Sequence, residues 1–233
     1  MNTLPALEKC QAFLASQFQS ANRFPQNSDT TPRHAVTISR QAGCGAHAIG
    51  SKLAEYLQAH GPKGAAAWTV FDRNLVEKVL EDHSLPQRLA KFMPEDRISQ
   101  ITDAVEELFG LHPPSWILVR QIAETVLHLA EMGNVILIGR GANVITHRLS
   151  HVFHVRLIAP FETRLERVVK YEQLDRKAAR AFIRRADSGR ERYLKKYFHK
   201  DLNDPLLYHL VINTDVVSLD QAARLIGDAV LAS

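Results

Sequence analysis

The chain lacks several features that define common classes of protein. Its 233 residues include only two cysteines, Cys10 and Cys44, which stand far apart and outside any metal-binding spacing. We therefore expect a reducing compartment and no disulfide framework. No apolar run approaches the roughly 20 residues that a membrane-spanning helix requires, and the N-terminus shows no secretory signal pattern. We expect a cytoplasmic protein without a membrane partner.

Familiar catalytic patterns are missing as well. There are 11 histidines, but no His-Glu-x-x-His sequence and no Gly-x-Ser-x-Gly elbow. His151 and His154 flank Phe153 on a predicted strand, and we interpret them as structural. The net charge of +4 is mildly basic, which fits anionic substrates such as nucleotides, and we expect no nucleic-acid partner.

The most informative segment is a glycine loop between a strand and a helix. Residues 35–39 read as a strand, 40–47 as a loop that contains Gly43 and Gly45, and 48–58 as a helix. This is the layout of a phosphate-binding P-loop, in which backbone N–H groups and the helix N-terminus face an anion. The usual Gly-Lys-Ser/Thr ending is absent, because Gly50 is followed by Ser51 and Lys52 in reverse order.

The rest of the chain alternates short apolar runs with amphipathic segments, which predicts an α/β fold of the P-loop NTPase type. Its three layers would be helices, a five-stranded parallel sheet and helices. After the first strand at 35–39, the predicted strands are 68–71, 135–138, 152–158 and 210–212. The predicted helices after the first are 73–82, 96–109, 115–132, 161–171, 175–198 and 219–231.

The sequence also predicts how the chain is divided. Residues 1–34 are predicted to form an amphipathic helix at 4–19 and a polar, proline-containing linker, and residues 35–233 to form the P-loop domain. The helix either packs on its own domain or joins two copies in a homodimer. Residues 84–114 read as a helical insertion, which either covers an acceptor or adds packing, and residues 175–204 read as a lid.

Four segments in this order resemble the cytidylate kinase-like family of P-loop nucleoside monophosphate kinases. They are ISRQAGCGAHAIGSKLAEYL at 38–57, FDRNLVEKVL at 71–80, GRGAN at 139–143, and the run from Arg184 to the INT of 212–214. The resemblance implies a five-stranded parallel sheet, a helical region that binds a monophosphate, and an arginine-rich lid that closes over ATP.

The resemblance assigns nucleotide binding to the loop, although this loop departs from the family pattern. Gly43 and Gly45 match loop glycines, whereas Arg40 replaces the first glycine, Ala46 the phosphate-binding lysine, and Ala48 the magnesium-holding threonine. Arg40, His47 or Lys52 could supply the missing charge, and Arg40 is preferred because its guanidinium suits phosphate. The predicted nucleotide-binding residues are Gly43, Cys44, Gly45, Ala46, His47 and Ala48.

The acceptor is expected near two other segments. Asp72 and Arg73 follow the second strand, Lys78 takes the position of a phosphate-binding arginine, and Arg140 matches the family's substrate-binding arginine. Asp72 could instead cap the helix predicted at 73–82. Ile138 and Gly141 stand where the family has acids, which puts magnesium binding in doubt.

The lid helix carries the last group of candidates. Asp187 and Arg190 match the family's Asp-x-x-Arg, and Arg184 lies one position from an upstream lid arginine. With Arg40 and Arg140, these form the predicted catalytic set, in which arginines spread the charge of the transferring phosphoryl group. The alternative is a solvated helix joined by pairs such as Asp187 with Arg190.

Together the motifs predict an ATP-dependent phosphoryl transferase with a degenerate P-loop, acting on CMP or another small phosphate acceptor. ATP is the expected nucleotide, and Mg²⁺ is a doubtful companion because its usual ligands are replaced. A non-catalytic nucleotide-binding or sensor module on the same fold is the alternative, and a scaffold that binds no nucleotide is a weaker one. No residue of the chain is predicted as a metal ligand.

Overall fold

The computed structural model describes Phe13 and residues 33–62, 66–72, 95–109, 116–139 and 141–233. Predictions for the helix at 73–82, for the N-terminal helix beyond Phe13, and for Arg73, Lys78 and Arg140 lie outside these residues. Phe13 is helical and only 2% exposed. Its ring meets Phe71 edge-on with the centroids 5.6 Å apart, so this residue of the predicted N-terminal helix packs on the domain.

Five parallel strands form one sheet, as predicted. They are β1 (Ala35–Arg40), β2 (Thr69–Phe71), β3 (Val135–Ile138), β4 (Val152–Ile158) and β5 (Leu210–Asn213). Their order across the sheet is β2-β3-β1-β4-β5. β1 therefore lies at the centre, with Ile38 paired to Ile138 on one side and to Val155 on the other. Such a sheet gathers polar side chains and loops at the carboxyl ends of its strands.

The helices that the structure describes agree with the predicted ones to within two residues at each end. They are α1 (Ala46–His60), α2 (Glu95–Phe109), α3 (Ile117–Met132), α5 (Phe161–Glu172), α6 (Arg176–Phe198) and α7 (Leu219–Leu231). Two short elements were not predicted, α4 (Ala142–Ile145) and a 3₁₀ turn at Pro205–Leu207. Ser218 caps α7, and Gln221 completes a capping box there.

Helices cover both faces of the sheet, which gives the three predicted layers. α1 and α7 pack against one face, where Ile38, Leu53 and Ile226 are fully buried. Gly227 permits this close packing, because a Cβ there would lie 2.3 Å from the Tyr56 ring. α2, α3 and the end of α6 bury the other face, and α5 and α6 pack together beside the loop that follows β1.

The described helices include none that is long and apolar enough to cross a membrane.

Candidate functional site

The loop between β1 and α1 occupies residues 41–45, and its shape depends on two glycines. Gly43 and Gly45 have φ angles of 84° and 77°, a left-handed conformation that costs other residues energy. Both also touch neighbouring elements, since a Cβ on Gly43 would lie 2.7 Å from the Arg164 carbonyl oxygen and one on Gly45 would lie 2.8 Å from Leu219. α1 then begins at Ala46, and its first N–H groups lack helical acceptors. The loop therefore presents a helix N-terminus suited to an anion.

The Asp187 carboxylate of α6, the predicted lid helix, holds the loop in place. Asp187 Oδ1 accepts hydrogen bonds from the Ala42 N–H at 2.7 Å and from Arg190 Nη1 at 3.0 Å. Asp187 Oδ2 accepts from Arg164 Nη1 at 2.6 Å. Arg164 also donates to the carbonyl oxygens of Ala42 and Ala159. Asp187 thus joins the loop, α5 and α6 in one hydrogen-bond network. Burial lowers the pKa of Arg190, although the negative charge of Asp187 opposes this shift.

A cavity of about 350 Å³ opens at the carboxyl ends of β1 and β3, beneath α6. We call it the lid cavity. Among the lining residues that the structure describes, three are arginines and none is acidic, so the cavity is suited to a negatively charged group. Its lining residues are Ser39, Arg40, Gly139, Gly141, Asn143, Arg185, Ala186, Gly189, Arg190, Tyr193, Leu194 and Leu202.

Arg40 reaches this cavity across the end of β3. Its Nη1 atom occupies the space beside Gly139, where a Cβ would come within 1.8 Å of it. Gly139 has a φ of 87°, so its backbone conformation and the approach of Arg40 both favour glycine. Arg40 therefore lies beside β3 in the lid cavity. The Arg40 guanidinium thus supplies positive charge near the loop, from a position beside β3 that differs from that of a lysine in the first turn of α1.

The other candidates for that missing charge lie apart from the lid cavity. His47, which is 63% exposed, places Nδ1 3.3 Å from Asp72 Oδ2. The structure thus brings together one residue predicted for the nucleotide and one predicted for the acceptor. Lys52 donates to Asp220 Oδ1 at 2.6 Å, in the first turn of α7. The ammonium group of Lys52 is therefore engaged by a carboxylate of α7, and its role in place of the P-loop lysine stays a prediction.

The remaining predicted loop residues are placed as follows. Cys44 is buried, and burial raises the pKa of its thiol. Ala46 is buried and Ala48 is exposed, both in the first turn of α1. On the lid, Arg190 lines the cavity and Asp187 lies behind it. Arg184 is exposed and does not line the cavity, whereas its neighbour Arg185 does.

Sequence reasoning missed four polar side chains near the carboxyl edge of the sheet. Arg185 adjoins Arg184 in the sequence, and only their positions around the helix axis distinguish the one that lines the cavity. Arg164 lies in an ordinary amphipathic helix, and its contacts come from distant segments. Asn143 lines the lid cavity, and its buried Nδ2 has no hydrogen-bond partner in the structure. Arg156 interrupts the apolar run of β4, and an arginine inside a buried strand was a signal that could have been followed.

Within the described residues, the start of α1 lacks the usual ligands of magnesium. Mg²⁺ is normally held by carboxylate and hydroxyl oxygens, but Ala46 and Ala48 provide neither. The lid cavity is lined by arginines, and no cluster of three His, Cys, Asp or Glu suited to a metal occurs within the described ranges. The donor set therefore does not fit a protein-held Mg²⁺ at this edge.

The structure and the sequence both resemble known proteins. A crystal structure of an uncharacterized protein from Eubacterium ventriosum superposes with a TM-score of 0.58 at 20% identity, covering 86% of this chain and 99% of the other. The sequence is 28% identical over 182 residues to a cytidylate kinase of Pyrococcus horikoshii, covering 77% of this chain and 79% of that protein. It is 24% identical over 159 residues to a cytidylate kinase of Methanocaldococcus jannaschii, covering 67% and 89%.

The likeness to the Eubacterium ventriosum structure shows the fold. The likeness to the two cytidylate kinases is consistent with the glycine loop and the arginine-lined cavity at the end of the sheet. Residues 35–216 match the sequence profile of one family, and this range includes the sheet, the loop and the lid helix. The chain belongs to the cytidylate kinase-like family.

Proposed function

We propose that the chain transfers the γ-phosphoryl group of ATP to CMP or another small phosphate acceptor. The observation that carries this proposal is the lid cavity, in which Arg40, Arg185 and Arg190 converge near the glycine loop and none of the other described lining residues is acidic. Nucleoside monophosphate kinases need an anion site at this position, because both substrates bring phosphate charge to one place. Family membership supports a nucleotide kinase-like activity in general terms.

In this proposal the loop at 43–48 holds the ATP phosphates and the lid cavity holds the acceptor phosphate. Arg40 and Arg190 then lie on the acceptor side of the transferring group. Their guanidinium groups stabilise the negative charge of the transition state in the place of the missing loop lysine. The acceptor ligands that the sequence predicts remain part of the proposal, namely Asp72, Arg73, Lys78 and Arg140. The Asp72 carboxylate lies beside His47.

The test is a coupled assay of nucleoside diphosphate formation from ATP and each common nucleoside monophosphate. Replacement of Arg185 by glutamine is expected to lower kcat/KM on the order of 100-fold, because a charged donor to the transferred group is lost. The matched control is Arg192→Gln, at an exposed arginine of the same helix that does not line the cavity. Equal losses in the two variants would contradict the assignment of the cavity, and no turnover with any monophosphate would remove the kinase proposal.

A non-catalytic nucleotide-binding module is the second candidate, and one contact favours it. The carboxylate of Asp187 accepts a hydrogen bond from the Ala42 N–H, a loop donor that a nucleotide phosphate would otherwise attract. The replacement of the family's lysine and threonine by Ala46 and Ala48 also favours this candidate. Calorimetry with ATP, with and without Mg²⁺, separates the two functions. Binding that does not depend on the metal, together with absence of turnover, would support the module.

A further inference from the structure

A buried arginine outside the lid cavity has only neutral partners. Arg156 lies on β4 between Ser39 of β1 and Val211 of β5, and it is 3% exposed. Its Nη1 donates to Ser39 Oγ at 3.0 Å, and its Nη2 reaches Asn203 Oδ1 at 3.5 Å, the outer limit of a hydrogen bond. Its Cζ lies 5.9 Å from the centre of the Tyr208 ring. No carboxylate of the described chain forms an ion pair with it.

The contrast with Arg164 shows how unusual this environment is. Arg164 is about as buried, at 7% exposure, but its Nη1 lies 2.6 Å from the carboxylate of Asp187. Buried charges are normally paired, because an isolated charge loses its hydration without compensation. Burial lowers the pKa of Arg156, yet an arginine keeps its proton at neutral pH. Asp187 acts on Arg156 at longer range, and its negative charge opposes the effect of burial on the pKa. The protein therefore holds a buried positive charge that no described carboxylate contacts directly.

Arg156 lines a second cavity of about 420 Å³, which we call the edge cavity because β5 is the edge strand of the sheet. The size is within the range of small-molecule sites. The walls combine amide and hydroxyl groups with apolar surface, and Arg156 is the only charged side chain among the described residues that form them. The lining residues are Gln41, Arg156, Ile158, Ala159, Pro160, Leu202, Asn203, Pro205, Tyr208, Val211 and Asn213.

We propose that the edge cavity binds the oxyanion group, phosphate or carboxylate, of a small molecule, and that Arg156 is its counter-ion. A planar guanidinium matches the oxygens of either group, while the amides of Asn203 and Asn213 can contact the remainder of the ligand. The edge cavity adjoins the lid cavity, because Leu202 lines both and Ser39, which lines the lid cavity, accepts a hydrogen bond from Arg156. The proposal does not depend on phosphoryl transfer.

The first experiment compares thermal unfolding with and without inorganic phosphate, in a zwitterionic buffer of low ionic strength. Arg156→Met keeps an unbranched side chain of mostly apolar character and removes the charged guanidinium. This variant is expected to be as stable as the natural protein or more stable without phosphate, because the desolvated charge is gone. Arg164→Met is the control, and it is expected to be less stable, since it removes the more buried of the two arginines that pair with Asp187.

The second experiment locates the anion, because phosphate can also bind at the glycine loop or the lid cavity. The Nε–H resonance of Arg156, identified by its absence from the Arg156→Met spectrum, is followed by NMR during titration with phosphate and separately with acetate. A shift with phosphate alone identifies a phosphate site, and a shift with acetate alone a carboxylate site. Shifts with both identify a general oxyanion site. In Arg156→Met the amide resonances of Asn203 and Asn213, which also line the cavity, are followed instead, and binding at this site is expected to weaken by about tenfold or more.

Two results would overturn the proposal. One is an Arg156 resonance that responds to neither anion, even if the amides of Gly43 and Gly45 respond to phosphate. The other is an Arg156→Met variant that is clearly destabilised and retains the full phosphate-dependent rise in Tm. Either result would mean that Arg156 is a structural residue satisfied by Ser39, Asn203 and Tyr208. If the variant does not fold, the titration of the natural protein, with the resonance assigned through the backbone, decides the question.

Discussion

The network around Asp187 yields a prediction with a worked magnitude. Asp187→Asn preserves the shape of the side chain but removes its charge and one of its acceptor oxygens. The Ala42 N–H, Arg164 and Arg190 would then compete for a single oxygen, and Arg164, whose side chain is 8% exposed, would lose its counter-ion. Breaking a buried ion pair costs about 3–5 kcal/mol. Because the Asp187 side chain is 28% exposed, we expect the lower end, about 3 kcal/mol.

The assay is urea unfolding at pH 7, supported by the thermal midpoint, which should fall by roughly 6–12 °C for a chain of this size. Glu162→Gln is the matched control, because it makes the same change in an exposed pair. Glu162 and Arg176 are 58% and 60% exposed, so this control should cost less than about 1 kcal/mol. Hydrogen exchange adds a local readout, since the Ala42 amide should exchange faster in Asp187→Asn.

A double variant makes the reasoning sharper. If Asp187 and Arg164 form a buried pair, Asp187→Asn combined with Arg164→Met should be less destabilised than the sum of the two single changes, because neither member of that pair is then left as an unpaired charge. The reasoning would be refuted if Asp187→Asn were no more destabilising than Glu162→Gln. It would also be refuted if the two single effects were strictly additive.

Two further predictions concern stability. Burial holds the pKa of His154 at about 4, below its ordinary value of 6.5, so the unfolded chain takes up the proton first as the pH falls. This residue alone should then reduce the free energy of unfolding by about 2 kcal/mol between pH 7 and 4.5, measured by urea unfolding. That part of the loss should disappear in His154→Gln but persist in the exposed control His60→Gln. Gly139→Ala should lower the free energy of unfolding by about 1–2 kcal/mol, because Gly139 has a positive φ and lies against Arg40. Gly189→Ala should raise it by up to about 1 kcal/mol, because Gly189 lies in a helix with open space around it. Equal effects of the two alanine substitutions in urea unfolding would contradict this account.

The layers of the fold could be predicted because the physics that fixes them is local. Apolar runs such as 135–138 have to be buried on both faces, and amphipathic segments have to cover them. The glycine loop was also recognisable, since its two glycines occupy backbone conformations that few other residues adopt. The first helix nevertheless begins at Ala46, earlier than predicted, because alanine carries no side-chain signal of a helix start.

The site was less predictable because its contacts join distant segments. Ala42 and Asp187 are 145 residues apart, and nothing in either segment indicates that they meet. The choice between Arg184 and Arg185 depends on helical phase. The lid-cavity residues of α6 follow a helical repeat, and Arg184 lies about 100° from Arg185 around the axis. Buried Ile183 and Leu194 fix that phase only once their packing partners are known.

The positions of the arginines bear on how this chain could act as a kinase. In the usual P-loop the positive charge stands on the first turn of the helix and is present whether the lid is open or closed. Here that position is Ala46, and the cationic side chains around the lid cavity come from the end of β1 and from α6. Two of the three, Arg185 and Arg190, belong to the lid helix. If phosphoryl transfer occurs at this site, charge stabilisation must depend on lid position more strongly than in an enzyme that retains the lysine. The Asp187 network, which fixes α6 to the loop, then becomes part of the transfer machinery as well as of the fold.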